Sequence, residues 1–531
     1  MTQILSADVV IVGSGVAGSL VAHRLAQKGL KVIILEAGPR IDRGKALATF
    51  MNAPIKHHQS PYPAARHAPH PGLDIDSTPY IIEKGSHKYD TLYVRGVGGT
   101  TWHWAGETWR FLPNDLRLKS LYGVGRDWPL SYEDLEPYYV QAEYELGVSG
   151  EAELGSPRSK PYPMQALAPT FMDTTFKKLL KPLGYDVIVQ PAARNTAFYD
   201  NRPACCGNHN CMPLCPVGAQ YSGDVHATKA EKAGAQLIAD AVVYKVEVGA
   251  DRLVKAVHYK DPSGQSHEVR GKTFVIAAHG IETPKLLLIS RSEHTPHGVA
   301  NSSDQVGRNL MDHPGLNVEF TMPIPVFPGR GPQEVSGIVN LRDGAFRKDY
   351  GSIKLGLWNS ASLPKLSAKL IAQGYAGKEF DQKLRDLTTR RCTFTSFSEQ
   401  LPDPNNRVRP SELTDAIGIP RPEITYSIDS YTLRSVQQVR KVFESMMVHL
   451  GATDVEYPDS LQPNNHIMGT TIMGVDPKTS VVDRDSRTHD HRNLFIAGSS
   501  VFASSTAVNS TLTLAALSLA ISDRIVKDLQ S

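Results

Sequence analysis

The apolar run VVIVG, which follows Asp8, contains no polar position and ends in a glycine. That pattern predicts a strand buried on both faces, as in a parallel sheet. A helical stretch continues through Lys28, and a second apolar run, VIILEAG, ends at Glu36. Strand, helix and strand together make a βαβ unit of about 30 residues. Further along, FVIAAHGIETPKLLL (Phe274–Leu288) reads as strand, turn and helix. NLFIAGSS (Asn493–Ser500) reads as a strand leading into a helix from about Ser510. No uninterrupted apolar run approaches the ~20 residues of a membrane span. A chain of 531 residues exceeds the roughly 250–300 at which a single core stops growing, so at least two lobes are expected.

Charge changes this picture little. A net charge of +3 gives no reason to invoke nucleic acid or an acidic membrane surface. The start, MTQILSADVVIVG, lacks the basic region, long apolar stretch and small-residue cleavage site of an export signal.

Chemistry enters first at the glycines. Gly13, Gly15 and Gly18 form G-x-G-x-x-G between the first strand and its helix. The first makes the tight turn, the second admits a pyrophosphate, and the third lets helix and strand pack closely. A diphosphate is favoured on the helix N-terminus by free N–H groups and the macrodipole. Glu36 is placed to accept from adenosine ribose hydroxyls; the bland alternative is a solvated acid at a strand end. The motif predicts a dinucleotide and leaves FAD and NAD both open.

The five cysteines are unevenly spread: Cys205, Cys206, Cys211 and Cys215 fall in CCGNHNCMPLCP, and Cys392 stands alone. Zinc sites more often use two separated pairs. A Cys205–Cys206 disulfide is a strained vicinal bond. Short spacings with a trailing Cys-Pro suit an iron–sulfur cluster. Iron–sulfur, zinc and plain thiols all remain open on spacing alone, and Cys392 reads as a small buried residue.

Several segments resemble the glucose–methanol–choline (GMC) family of flavoenzymes along nearly the whole chain. They are RGVGGTTWHWAG (Arg95–Gly106, with Gly98 and Gly99), DWPLSYEDLEPYYVQAEYELGV (Asp127–Val148), Phe274–Leu288, VGRNLMDHP (Val306–Pro314) and Asn493–Ser500. The resemblance implies an α/β fold: a Rossmann-like FAD-binding domain with an α+β substrate-binding domain. FAD-domain pieces are expected at 1–114, 223–315 and 464–531, and substrate or cap segments at 115–200 and 316–463. A cysteine loop is expected at 201–222. The family pattern places an acid in the turn after the last strand, where this chain has Gly498. The cysteine segment is similar to that of the subgroup of bacterial FAD-dependent glucose and fructose dehydrogenases. That likeness implies a [3Fe-4S] cluster on Cys205, Cys211 and Cys215, with Cys206 beside it. It also implies a covalent FAD tether at His103, whose alternative is a core histidine between Trp102 and Trp104.

Oxidising an alcohol on a flavin removes a hydride from carbon and a proton from the hydroxyl, and the proton needs a base. The chain has nineteen histidines, so composition selects none. The segments NNHIMGTTIMG (Asn464–Gly474) and AVNSTLTLAALSLA (Ala507–Ala520) match the family's two catalytic segments. The match implies His466 as base and Asn509 as substrate hydrogen-bonder; a core histidine and a helix cap are the alternatives. Phe397, Ser398, Glu399, Trp358 and Asn359 are expected to face substrate, while His279 receives no role. The implied activity is dehydrogenation of a sugar or polyol, with glucose at C1 ranked first. Fructose, sorbitol, gluconate and a glycoside 3-position follow; an oxygen-using oxidase and a flavin electron-transfer module are the rivals. The subgroup implies two partners, a small subunit with the export signal and a membrane cytochrome c. It places the chain on the periplasmic face of the inner membrane, with the cytoplasm as the alternative.

Overall fold

The computed structural model describes residues 5–57, 60–63, 65–71, 79–151 and 155–530. Among them, no helix is long and apolar enough to cross a membrane.

The two apolar runs at the N-terminus form the strands Leu5–Val12 and Val32–Leu35, paired in parallel with Val9 opposite Val32. The helix Val16–Gln27 joins them. Strand Ser266–Ile276 lies parallel to the first strand on its other side, with Val10 opposite Phe274. Its two halves have different neighbours. The early half pairs antiparallel with Val254–Lys260, and the late half pairs parallel with Leu494–Ile496. Segments far apart in the chain thus complete one sheet of seven strands. Val10, Ile11, Phe274, Ile276 and Leu494 are fully buried in it.

A second sheet has six strands, in the order Thr453–Glu456, Val318–Thr321, Arg391–Ser398, Ile353–Trp358, Glu334–Ile338 and Val187–Val189. It is antiparallel throughout. Its side chains alternate with period two. Val318, Phe320, Leu355, Leu357, Cys392 and Phe394 pack into one core with Phe443 and Met446 of the helix Ser430–Leu450. Lys354, Gly356 and Trp358 fall on the opposite face, as do Thr393, Thr395 and Phe397. That face overlooks a cavity lined by Trp358, Thr393, Thr395 and Phe397.

One segment packs differently from its expected grouping. The helix Tyr132–Leu146 was expected among the substrate segments. It lies instead against the C-terminal helix Thr511–Gln530, where Tyr139 Oη and Thr513 Oγ1 are 2.9 Å apart. Its buried Leu135, Tyr139 and Leu146 share a core with Val10, Phe274 and Leu512. Burial of that apolar face, rather than order along the chain, decides its company.

Candidate functional site

The cavity, about 940 Å³ in volume, runs from the first glycine loop to the second sheet. At one end lie Gly13, Gly15, Val16 and Glu36. Gly13 has φ +101°, and a Cβ there would strike the carbonyl of Ala277. A Cβ on Gly18 would strike the carbonyl of Gly13, so the helix packs on its own turn. A Cβ on Gly15 would meet nothing within 4 Å. The open side of the loop is therefore the side facing the cavity. Glu36 is buried, and its carboxylate accepts from Ser14 N at 2.9 Å, Ser14 Oγ at 2.7 Å and Gly38 N at 3.1 Å. Burial pushes its pKa up, against the pull of those donors. Gly99 packs its α-face on Gly15, so the second glycine-rich stretch closes over the first. Gly98 serves that turn at φ +99°.

Gly498, at φ +127°, also lines the cavity, and a Cβ there would meet nothing within 4 Å. His279 lines it too, at φ +81°, its ring 4.3 Å from that of Tyr93. Burial pushes the His279 pKa down to about 4.

At the other end His466 and Asn509 meet: Asn509 Nδ2 is 3.0 Å from His466 Nε2. The amide's orientation follows from its other neighbour. Lys354 Nζ lies 2.8 Å from Asn509 Oδ1, and an ammonium can only donate. The oxygen must therefore face Lys354, and the Nδ2–H must face the imidazole. His466 Nε2 then carries a lone pair, and its proton sits on Nδ1. That Nδ1–H donates to His313 Nδ1, 2.8 Å away. Burial, and then the Lys354 charge, push the His466 pKa down to about 3. The result is a neutral imidazole whose unprotonated Nε2 lies on the cavity wall, its lone pair held by the Asn509 amide. The stacked ring of Phe397 lies 5.8 Å from its own.

Asp312 holds this arrangement from below. Its carboxylate accepts the backbone N–H groups of His313 (2.6 Å), His466 (2.9 Å) and Asn465 (3.1 Å). Isolated bridges pair Met311 with Met468 and Gly315 with Gln462, so the two loops run side by side. Asn509 lies two positions before the helix Thr511–Gln530; Ser510 between them and Thr511, the helix's first residue, also line the cavity.

Comparison with known proteins assigns the scaffold. Family descriptions of the GMC oxidoreductase match residues 174–315 and 402–518, and one of an FAD-dependent oxidoreductase matches residues 8–128. The fructose dehydrogenase large subunit of Gluconobacter japonicus is 47% identical over 540 residues, covering 99% of both chains. The chain is a GMC oxidoreductase. It is similar at 29% identity to paromamine 6'-oxidase of Streptomyces fradiae, covering 99% of this chain and 92% of that one. A third relative is 2-methyl-1,2-propanediol dehydrogenase of Mycolicibacterium austroafricanum, 27% identical over 98% of this chain and 95% of the other. Among solved structures, formate oxidase of Aspergillus oryzae superposes with a TM-score of 0.69 at 15% identity, covering 99% of each chain. That likeness is one of fold. As a GMC oxidoreductase the protein is an FAD-dependent enzyme acting on CH–OH groups, and the cavity joins its dinucleotide end to its chemical end.

Not every expected residue reaches the cavity of this GMC oxidoreductase. Phe397 and Trp358 line it, but their chain neighbours point away. Ser398 is fully buried, Glu399 pairs with Arg347 at 2.7 Å, and Asn359 braces the loop carbonyls of Arg330 and Pro332. Alternation turns Ser398 away from Phe397, whereas Glu399 and Asn359 lie just past the ends of their strands and are held by their own partners. Conversely, Glu107, Glu334 and Lys354 were missed. The period-two pattern I-K-L-G-L-W, which sets a lysine opposite the apolar face of Ile353, Leu355 and Leu357, is the one local signal for Lys354.

His103 lines the cavity, its ring 5.9 Å from that of Tyr62. Tyr62 Oη donates to the carbonyl of Pro213, inside the cysteine loop. Arg43 Nη1 donates to Cys215 O at 2.9 Å, and Gln220 Nε2 donates to Trp104 O at 2.6 Å and Cys211 O at 3.4 Å. The loop is thus stitched to the His103 side of the cavity. Cys211 is buried, Cys205 and Cys215 are half-buried, and Cys206 is exposed. The Cys205 thiol is pushed up by burial and also by its neighbours Cys211 and Cys215. These three sulfurs therefore share one neighbourhood, while Cys206 faces solvent. Among the described residues, however, no three metal-binding side chains are drawn into a ligating array. Cys392 is buried in the second core, as a small apolar residue would be.

Proposed function

We propose that this GMC oxidoreductase is the catalytic subunit of a sugar dehydrogenase, with His466 as the base and Asn509 as the group that orients the reacting hydroxyl. The observation that carries the reading is the bond between Asn509 and His466 Nε2 on the cavity wall. Bound FAD supplies the hydride acceptor. A hydroxyl that enters between the two replaces the bond they share: its oxygen accepts the Asn509 Nδ2–H, and its proton goes to His466 Nε2. The N-terminus of Thr511–Gln530, aimed into the cavity, favours negative charge that builds there.

Glucose stood first among the candidate substrates. The 47% identity to a fructose dehydrogenase large subunit moves fructose to the head of the panel, with glucose, sorbitol and gluconate behind it. The same relative supports a multisubunit assembly. The reading places this chain with a small subunit carrying an export signal and a cytochrome c subunit, on the periplasmic face of the inner membrane. The likeness of the cysteine segment to that of the subgroup supports an iron–sulfur cluster; Cys205, Cys211 and Cys215 would hold it, and a [3Fe-4S] cluster on three thiolates would carry electrons outward singly. Oxygen as acceptor is the competing outcome.

The test is anaerobic mixing of the purified flavoprotein with a panel of sugars, polyols and sugar acids. Bleaching of the flavin by fructose or another neutral sugar, at a rate reduced ~10²–10⁴-fold in His466→Ala, is expected. Absence of bleaching by every sugar would remove the reading. Readmitted air separates dehydrogenase from oxidase by the rate at which the colour returns.

A further inference from the structure

The wall of the cavity beside Asn509 carries three buried ionisable side chains drawn from distant segments: Glu107, Glu334 and Lys354. Lys354 stands behind the wall, fully buried. Its Nζ donates to Glu107 Oε2, to Asn509 Oδ1 at 2.8 Å and to Gln190 Oε1 at 3.4 Å. An ammonium has three protons, and all three are engaged by the protein. Lys354 is therefore a support and has nothing left to offer a ligand. The two carboxyls differ. Glu107 and Glu334 both line the cavity, and they face one another. Glu107 is 1% exposed, and its Oε1 has no donor apart from the neighbouring Glu334 carboxyl. Thr395 Oγ1, also buried and on the cavity wall, finds no partner among the described residues. Gly356 lies between: a Cβ there would press on Thr395 Oγ1 and reach within 3.4 Å of Glu334 Oε1. The strand thus gives up a side chain where the polar groups converge.

A purely structural ion pair would saturate its own acceptors, because an unmade buried hydrogen bond costs more than a made one returns. Here Glu107, Glu334 and Thr395 all line the cavity, and Thr395 Oγ1 has no partner among the described residues. Two carboxyls in contact cannot both ionise, so one keeps its proton. Burial and the Glu107 charge push Glu334 up to about 8, while Lys354 holds Glu107 down. At neutral pH that proton is shared between the two carboxyls, and the wall presents the remaining Glu334 oxygen as acceptor and the Thr395 hydroxyl as donor. Hydroxyl groups, which both donate and accept, match such a surface. A substrate carboxylate does not, since it would meet the Glu107 charge.

We propose that Glu334 and Glu107, with Thr395, form a subsite that binds a second hydroxyl of a neutral polyhydroxylated substrate, and that Lys354 is the positioning residue that ties this subsite to Asn509. The inference rests on the sugar-dehydrogenase reading for its substrate class. Sugar acids such as gluconate are disfavoured, and a substrate lacking the second hydroxyl pays for groups left unpaired.

The experiment uses the FAD-loaded protein and its variants Glu334→Gln, Glu334→Leu and Lys354→Met. The infrared difference between wild type and Glu334→Gln, taken at pH 7 without substrate, should show the C=O stretch of a protonated carboxyl. Absence of that band would overturn the protonation half of the proposal. Kinetically, the sugar that bleaches the wild-type flavin fastest is compared with its singly deoxygenated analogues. Glu334→Leu should lose about ten- to a hundred-fold in kcat/KM for the parent sugar while one deoxy analogue is affected little. Glu334→Gln, which still hydrogen-bonds, should stay within about five-fold of wild type. Lys354→Met should lower kcat more than it raises KM, because Asn509 loses its orienting donor. Equal losses for the parent sugar and every deoxy analogue would overturn the subsite. If no sugar bleaches the wild type, the parent reading fails, and the infrared result still decides whether Glu334 holds a proton beside Glu107.

Discussion

The single carboxylate of Asp312 does more to shape the chemical end of the cavity than its place outside it suggests. Oδ1 accepts from His313 N and His466 N, and Oδ2 accepts from Asn465 N. Asp312 is fully buried, so no solvent can replace it. Asp312→Ala orphans three buried backbone N–H groups at about 1–3 kcal/mol each; allowing for partial relaxation, the cost is about 3–6 kcal/mol. That is a large share of the 5–15 kcal/mol typical of a folded domain. Asp312→Asn keeps the shape and one oxygen. That oxygen can still take the two N–H groups on the Oδ1 side, leaving Nδ2 facing the Asn465 N–H. One donor is then unpaired, and the expected cost is about 1–3 kcal/mol. Denaturant midpoints of FAD-loaded protein should therefore rank wild type, then Asn, then Ala. Function should follow the same order for a geometric reason. The backbone bond to His466 fixes where Nε2 sits, and a shift of about 1 Å can cost 10²-fold. Single-turnover flavin bleaching by the best sugar measures this in the variants that fold. A midpoint and bleaching rate for Asp312→Ala equal to those of wild type would refute the reasoning, since three buried donors would then have found other partners at no cost.

Three further outcomes are expected. Denatured protein on a gel should retain yellow-green flavin fluorescence after acid treatment, and His103→Ala should abolish it; flavin freed completely from the wild type would leave His103 as a wall residue only. Cys211→Ser should lower bound iron and acid-labile sulfide and remove any paramagnetic signal. The variant should still show single-turnover bleaching and reduce small dyes, and cytochrome reduction should collapse; normal cytochrome reduction without iron would make the loop structural. Burial pushes His70 and His226 down to about 4, against about 6.5 in the unfolded chain. The stability they contribute as neutral residues is complete above the unfolded value. It is lost as pH falls from there toward 4, at up to about 1.4 kcal/mol per pH unit for each. Thermal melts should drop between pH 7 and pH 5, less steeply in His226→Gln; an equally steep drop in that variant would contradict the assignment.

What could be read from the sequence was what is local in it. Gly13, Gly15, Gly18 and Glu36 lie within one βαβ unit, and their spacing carries the geometry of the turn. His466 and Asn509 came from segments whose residue pattern matches a known family, and they do meet across 43 positions. The groups around them were not legible. Glu107 and Lys354 are 247 positions apart, and Lys354 and Asn509 are 155 apart. No periodicity within either segment announces the other. The expectation that Phe397, Ser398 and Glu399 face substrate together failed for a simple reason. Neighbours on a strand point to opposite faces, which turns Ser398 away, and Glu399, past the strand's end, is drawn to Arg347. The helix Tyr132–Leu146 was grouped by chain order, whereas its apolar stripe is buried against the C-terminal helix.

The arrangement divides labour between two scaffolds. His466, Asn509 and the glycine loops belong to segments that complete or adjoin the first sheet, and the proposed function assigns them the proton chemistry and the dinucleotide. Trp358, Thr395, Phe397 and Glu334 stand on the second sheet, whose other face is an ordinary apolar core. Cavity-side residues there can change one at a time without disturbing that core, because alternation separates the two faces. Relatives named for different alcohols share this overall scaffold across nearly their full lengths, as expected if substrate choice lies on one face of one sheet. Lys354 is the exception. It stands on the second sheet but bonds to Asn509 and Glu107, so a change there reaches the base as well as the wall. Substitutions at Trp358 or Thr395 should therefore move KM and substrate preference with kcat largely kept. Substitution at Lys354 should move kcat for every substrate, and a Lys354 variant that altered preference alone would break this division.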